Sequence, residues 1–74
     1  MVKTMEINWH DGFSIRVRED GNAVIISANK AGLLSLSDQL KILAEGETGD
    51  HIHYDEYSSL EDGSWELIIE RIPD

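Results

Sequence analysis

His51, Ile52, His53, Tyr54 and Asp55 form the one run of ligand-type side chains in this 74-residue chain. On a strand, residues i, i+2 and i+4 share a face. The spacing therefore predicts His51, His53 and Asp55 in a row, with Ile52 and Tyr54 turned away. Two imidazoles and a carboxylate are a ligand set for a first-row metal, with solvent in the remaining positions. A His-x-His pair on a strand also arises readily without function, and no partner that would orient the rings is identifiable in the sequence. An ordinary, partly exposed histidine pair is preferred to a metal site, and no cofactor is expected. Tyr57 shares the histidine face and is a candidate contact residue, since tyrosine is enriched where partners dock.

Catalytic readings are weaker. There is no glycine-rich phosphate loop. Ser58, Ser59 and Ser64 pair on paper with a histidine and an acid, but nothing sets them in a strained elbow. Asp55 and Glu56 are neighbours on a strand and point to opposite faces. Glu61-Asp62-Gly63 reads as a turn. A chain this short also has little interior in which to shift a carboxylate. These observations point away from an enzyme.

The elements that must position these residues follow from periodicity. Met5, Ile7 and Trp9 alternate with polar residues, as do Phe13, Ile15 and Val17, with His10-Asp11-Gly12 as the loop between two strands. That register sets Trp9 opposite Phe13, Ile7 opposite Ile15 and Met5 opposite Val17. Asp20-Gly21 signals a tight hairpin pairing Val17 with Val24 and Ile15 with Ile26. Val24, Ile26 and Ala28 then join the apolar face, with Ile25 on the other side. Asn29 is a plausible helix N-cap, Leu33, Leu36, Leu40 and Leu43 form an apolar stripe, and Gly46 stops the helix. Gly32 is costly inside a helix unless a strand approaches closely there. Two strands follow, His51 to Tyr57 and one carrying Trp65, Leu67 and Ile69, with Leu60 as a plug beneath the turn between them. The expectation is an α+β fold: a single antiparallel sheet of about five strands, β-β-β-α-β-β, with one helix packed across one face. Residues 1–74 read as a single small domain, with a three-strand meander at 1–28, the helix at 29–46 and an acidic hairpin at 50–72. Trp9 and Trp65 are assigned to the core.

Fifteen acids against six bases give a net charge of −9. Residues 1–44 hold five acids and five bases, while residues 45–74 hold ten acids and one base, Arg71. The whole excess therefore lies on the last thirty residues. Such a chain is repelled by nucleic acid and by anionic membranes. With no cysteine, no hydrophobic signal core at the start and no long apolar run, a cytoplasmic setting is expected.

Asn29-Lys30-Ala31-Gly32-Leu33-Leu34-Ser35-Leu36, then Gly49-Asp50-His51-Ile52-His53-Tyr54-Asp55-Glu56-Tyr57, then Ser59-Leu60-Glu61-Asp62-Gly63-Ser64 and Leu67-Ile68-Ile69-Glu70 together resemble immunity family 32 of bacterial polymorphic toxin systems. The likeness runs from about Asn29 to Glu70, and the first three strands carry no part of it. The resemblance implies an antitoxin that binds and neutralises a cognate toxin domain. It carries over His51, His53, Asp55, Leu60, Glu61, Gly63 and Ser64, the last two serving the turn as readily as a partner.

Three readings stand side by side. In the first, the acidic hairpin docks a basic toxin surface through His51, His53, Asp55, Glu56, Tyr57, Glu61, Glu66 and Glu70. In the second, His51, His53 and Asp55 hold a metal or small ligand. In the third, sheet edges or an open face bearing Ile25 and Ile68 pair two copies as a homodimer.

Overall fold

The computed structural model describes residues 8–74. Ile15 and Val17 alternate with Arg16 and Arg18 in strand β1 (Ile15–Asp20), which pairs antiparallel with β2 (Ala23–Ala28). The turn is one step further along than the Asp-Gly signal suggested. Gly21 is the first central residue, at φ 64°, and no residue other than glycine has a positive φ among the described residues. Only the first central position thus needs the left-handed region, which is the type II′ requirement, whereas a turn centred on Asp20-Gly21 would force Asp20 there. Val17 consequently pairs with Ile26 and Ile15 with Ala28, a shift of two residues that preserves the faces.

Helix α1 (Lys30–Ala44) begins at Asn29, whose backbone is extended and whose Oδ1 accepts from Gly32 N–H at 2.8 Å. The same oxygen accepts from Ser14 N–H at 3.0 Å, and Nδ2 donates to the Gly12 carbonyl at 2.8 Å. One side chain thereby caps the helix, a contribution of about 1 kcal/mol, and fixes the loop that precedes β1.

The buried helix face is not the leucine stripe. Gly32, Ser35, Gln39 and Leu43 face inward, while Leu33, Leu34 and Leu40 are exposed and Leu36 is partly buried. The cause is the close approach of the helix to β1. A Cβ on Gly32 would lie 2.7 Å from the Ser14 carbonyl oxygen and 2.9 Å from Ile15 Cγ1. A helix lying this close has room for small side chains along its contact line. Further along, Gln39 and Ser35 bind the incoming chain: Gln39 Nε2 donates to the Asn8 carbonyl at 3.0 Å, and Ser35 Oγ accepts from His10 N–H at 2.8 Å. His10 Nε2 also lies 2.8 Å from the Asp38 carboxylate. Residues 8–10 therefore follow the helix and form no strand. The expected pairings of Met5 with Val17 and Ile7 with Ile15 lie outside the described residues.

Strands β3 (His51–Tyr54) and β4 (Leu67–Glu70) pair antiparallel, with Ile52 against Ile69 and Tyr54 against Leu67. Bonds between Gly49 N–H and the Arg71 carbonyl, and between Arg71 N–H and the Asp50 carbonyl, both 2.8 Å, extend the pairing. The described residues thus make an α+β fold of one helix and four strands in two two-stranded antiparallel sheets, in place of one five-stranded sheet.

The two sheets are joined by residues 61–65, which run along the outer edge of β1. Glu61 N–H donates to the Ile15 carbonyl and Trp65 N–H to the Val17 carbonyl, both at 2.9 Å. Between them, Val17 N–H is met by Ser64 Oγ at 3.2 Å rather than by a backbone carbonyl. The turn at Gly63 (φ 83°) pulls the main chain away at that point, so the ladder is interrupted and no continuous strand forms.

Ile15, Val17, Leu43, Ile52, Tyr54 and Leu60 make the core, with Trp9, Phe13, Ala28, Leu36, Leu67 and Ile69 packed around it. Each fully buried aliphatic side chain contributes about 1.5–3 kcal/mol. Trp9 stacks on Phe13, centroids 4.3 Å apart, and meets Tyr54 edge-on at 6.1 Å. Trp65, Val24 and Ile26 do not join them; all three are exposed. The helix covers the Ile15–Ala28 end of the β1–β2 pair, where Gly32 sits, and leaves the turn end uncovered.

Tyr54 is 1% exposed, and its hydroxyl donates to Gln39 Oε1 at 2.7 Å. Burial pushes its pKa up to about 12. The folded state therefore holds the neutral phenol, and this contribution to stability is complete below pH about 10 and lost as pH rises toward 12. An alkaline absorbance titration of the folded protein should show a tyrosine step near pH 12 that Tyr54→Phe removes; a step surviving in that variant would contradict the assignment. Gly32→Ala should destabilise the fold by about 1–2 kcal/mol in urea unfolding, because steric cost outweighs the gain of about 1 kcal/mol in helix propensity. A stabilised variant would show that helix and strand have room to separate.

Candidate functional site

The outer face of the β3–β4 hairpin is built by strand alternation. Ile52 and Tyr54 turn into the core, so His51 and His53 turn out. Pairing sets His51 opposite Glu70 and His53 opposite Ile68. Glu66, just before β4, brings its carboxylate to 3.5 Å from His53 Nε2. The face therefore presents two imidazoles, two carboxylates and Ile68, which is 59% exposed. His51 Nδ1 makes only a long contact, 3.3 Å, to the Gly49 carbonyl.

Asp55 is not on this face. β3 ends at Tyr54, and the Asp55 carboxylate folds back to accept from Ser58 Oγ at 2.9 Å and from the amides of Ser58 and Tyr57. The amides of Ser59 and Leu60 meanwhile donate to its main-chain carbonyl at 3.0 and 2.8 Å. The expected row of His51, His53 and Asp55 is thus broken, because a carboxylate followed by backbone amides makes a turn instead of continuing a strand. Among the described residues no three His, Asp, Glu or Cys side chains gather as a metal-holding group. The Ser58 hydroxyl, first, and the two amides hold the Asp55 carboxyl below its ordinary range.

Two more of the sequence candidates serve the fold. Glu56 Oε2 accepts from Gly63 N–H at 3.0 Å, and Glu61 Oε1 accepts from Ser14 Oγ at 2.7 Å. Leu60 is buried in the core. Together with Ser64, these residues close the outer edge of β1. Tyr57 stands at the tip of the 55–60 turn, 92% exposed, with an unengaged ring.

The sequence reading missed Trp65. It lines an apolar cleft with Val17, Val24, Leu67 and Ile68, flanked by Arg18, Glu19 and Glu66. The available signal was Asp62-Gly63-Ser64 directly before it, since a residue at the exit of a turn need not follow the alternation of the strand that comes next. Ile68 belongs to both the cleft and the hairpin face, so the two surfaces are continuous.

The site is an outward hairpin face bearing His51, His53, Glu66 and Glu70 beside an apolar cleft, on a small α+β scaffold. Among the described residues no helix is long and apolar enough to cross a membrane. The family model described as Immunity protein 32 matches residues 23–72, and the chain belongs to that family. No curated protein and no solved structure matches it.

The turn chemistry has a pH consequence. Since the folded state favours ionised Asp55, its stabilisation is present above the ordinary carboxylate value of about 4 and is lost as pH falls through the lower folded value. Asp55→Asn should therefore flatten the loss of stability below pH about 4 in thermal unfolding measured across pH. Acid limbs of equal steepness would show that the carboxylate is not engaged.

Proposed function

We propose that this protein is an antitoxin that neutralises a cognate bacterial toxin domain by docking the outer face of its β3–β4 hairpin on a basic toxin surface. The observation that carries the reading is how the family-matched residues divide. Asp55, Leu60, Glu61, Gly63 and Ser64 all have work within the fold. His51 and His53 face outward, beside Glu66 and Glu70. Glu66 and Glu70 on this face, in a segment of ten acids and one base, suit a groove that otherwise receives phosphates. Ile68, Trp65 and Tyr57 supply apolar contact area at its margins, the kind of side chain that dominates docking energy. His51, His53, Glu66, Glu70 and Tyr57 are the proposed partner-binding residues. Asp55, Glu56 and Glu61 act through the turns that shape the face. The role needs no cofactor and no catalysis, and it is exercised in the cytoplasm of the toxin-producing cell.

Opposite charge steers association and makes it salt-dependent. The double variant Glu66→Lys, Glu70→Lys should slow association with the toxin domain encoded beside this chain by about tenfold or more at low salt. It should also flatten the salt dependence, with the thermal unfolding midpoint little changed. Stopped-flow or surface-based kinetics read both; an association rate and salt slope equal to those of the natural chain would contradict the electrostatic docking.

A further inference from the structure

Among the described residues, strand β2 is an edge without the usual protection. β1 has its outer edge closed by residues 61–65, but among the described residues no backbone group of β2 bonds to anything beyond β1. The outward carbonyls of Ile15 and Val17 are those that meet Glu61 and Trp65. In an antiparallel pair, opposed residues bond either inward together or outward together. Ala28 and Ile26, opposite Ile15 and Val17, therefore direct their N–H and C=O groups to the free edge, and so does Val24 by alternation. Natural edges are blunted with lysine, proline, bulges or cover. β2 reads Ala-Val-Ile-Ile-Ser-Ala, with neither charge nor proline.

The side chains beside this edge are also apolar. Val24 and Ile26 are 68% and 42% exposed, and Ile26 shares an open groove with Leu33, Leu36 and Leu40 of the helix. Among the described residues Lys41 is the only charged one lining that groove. The charge distribution selects the occupant. The groove lining holds no carboxylate to draw a basic partner, and the nearest one, Glu19 opposite Val24, lies at the turn end of the pair; a second copy instead finds an apolar surface that matches itself.

We propose that two copies of this chain dimerise through the free edge of β2, pairing antiparallel about Ile25 so that Val24 of each copy opposes Ile26 of the other. Antiparallel pairing of identical edges requires a two-fold axis perpendicular to the sheet, an isologous contact. That axis places both helices on the same side of a four-stranded sheet, with the Leu33 and Leu40 sides turned toward the joint. The edge amides gain partners, and the groove is covered. The joint lies away from His51, His53, Glu66 and Glu70, with Val24 shared with the apolar cleft beside them, so the dimer carries two hairpin faces and is tested independently of the antitoxin role.

Sedimentation from micromolar to millimolar concentration, with hydrogen exchange at both ends of the range, tests this. The natural chain should sediment as a dimer at high concentration, with the Val24 and Ile26 amides slowed about tenfold or more relative to dilute protein. Ile26→Lys should be monomeric with an unchanged unfolding midpoint. If that variant unfolds, Val24→Pro keeps the test, since the outward N–H it removes makes no bond in the monomer and proline is tolerated at edges. A natural chain that stays monomeric throughout would overturn the proposal. So would a dimer that survives both substitutions with the two amides unprotected.

Discussion

The contact between Gly32 and β1 sets the arrangement of everything else. With no side chain at that position, the helix backbone comes within van der Waals distance of the Ser14 carbonyl and Ile15. At Gly32 and Ser35 the helix has no room for leucine, and by Gln39 and Leu43 the gap takes full-length side chains. The polar members of this face are fully used: Ser35 and Gln39 hold residues 8–10, and Gln39 also receives the Tyr54 hydroxyl. A buried amide left unpaired would cost about 1–3 kcal/mol. This seam thus specifies one position of helix, strand β3 and incoming chain relative to one another, and it turns Leu33 and Leu40 outward.

The second organising feature is the closed edge of β1. Residues between the two hairpin strands spend their polar groups there, through Glu61, Ser64 and the Glu56–Gly63 contact. Residues that look like a recognition motif in the sequence are the clasp that joins the two sheets. The clasp holds β3 and β4 so that one face meets the core and the other is free. The side chains left without work in the fold are those of His51, His53, Glu66, Glu70 and the neighbouring Ile68 and Trp65, and the proposed docking rests on them.

Much of this was legible in the sequence. Alternation located β1 and the inward turn of Ile52 and Tyr54, and Asn29 marked the helix start. The possibility that Gly32 served a close strand approach was also readable, and it is what occurs. Other features depended on tertiary choices that periodicity does not encode. The leucine spacing is helical on either side of α1, and only the Gly32 contact decides which side is buried. The two-residue shift in the β1–β2 register came from which glycine position the turn uses. Asp55 fitted the alternation of β3 but also fitted a turn, and three amides and a hydroxyl close at hand favoured the turn. Trp65 was read as core because tryptophan usually is, and the turn before it sets it in an exposed cleft instead. The family likeness named the family that the chain belongs to, while its motif residues proved to be mostly architectural.

The central claim is that the hairpin face, and not the helix or β2, is the surface offered to the toxin domain. Backbone amide shifts of the labelled protein, followed during titration with that domain, test it most directly. The account predicts the largest changes at residues 51–54 and 66–70, with Tyr57 affected and the amides of β2 and the outer helix face unmoved. Changes confined to β2 or to the Leu33–Leu40 side, with the hairpin silent, would contradict it.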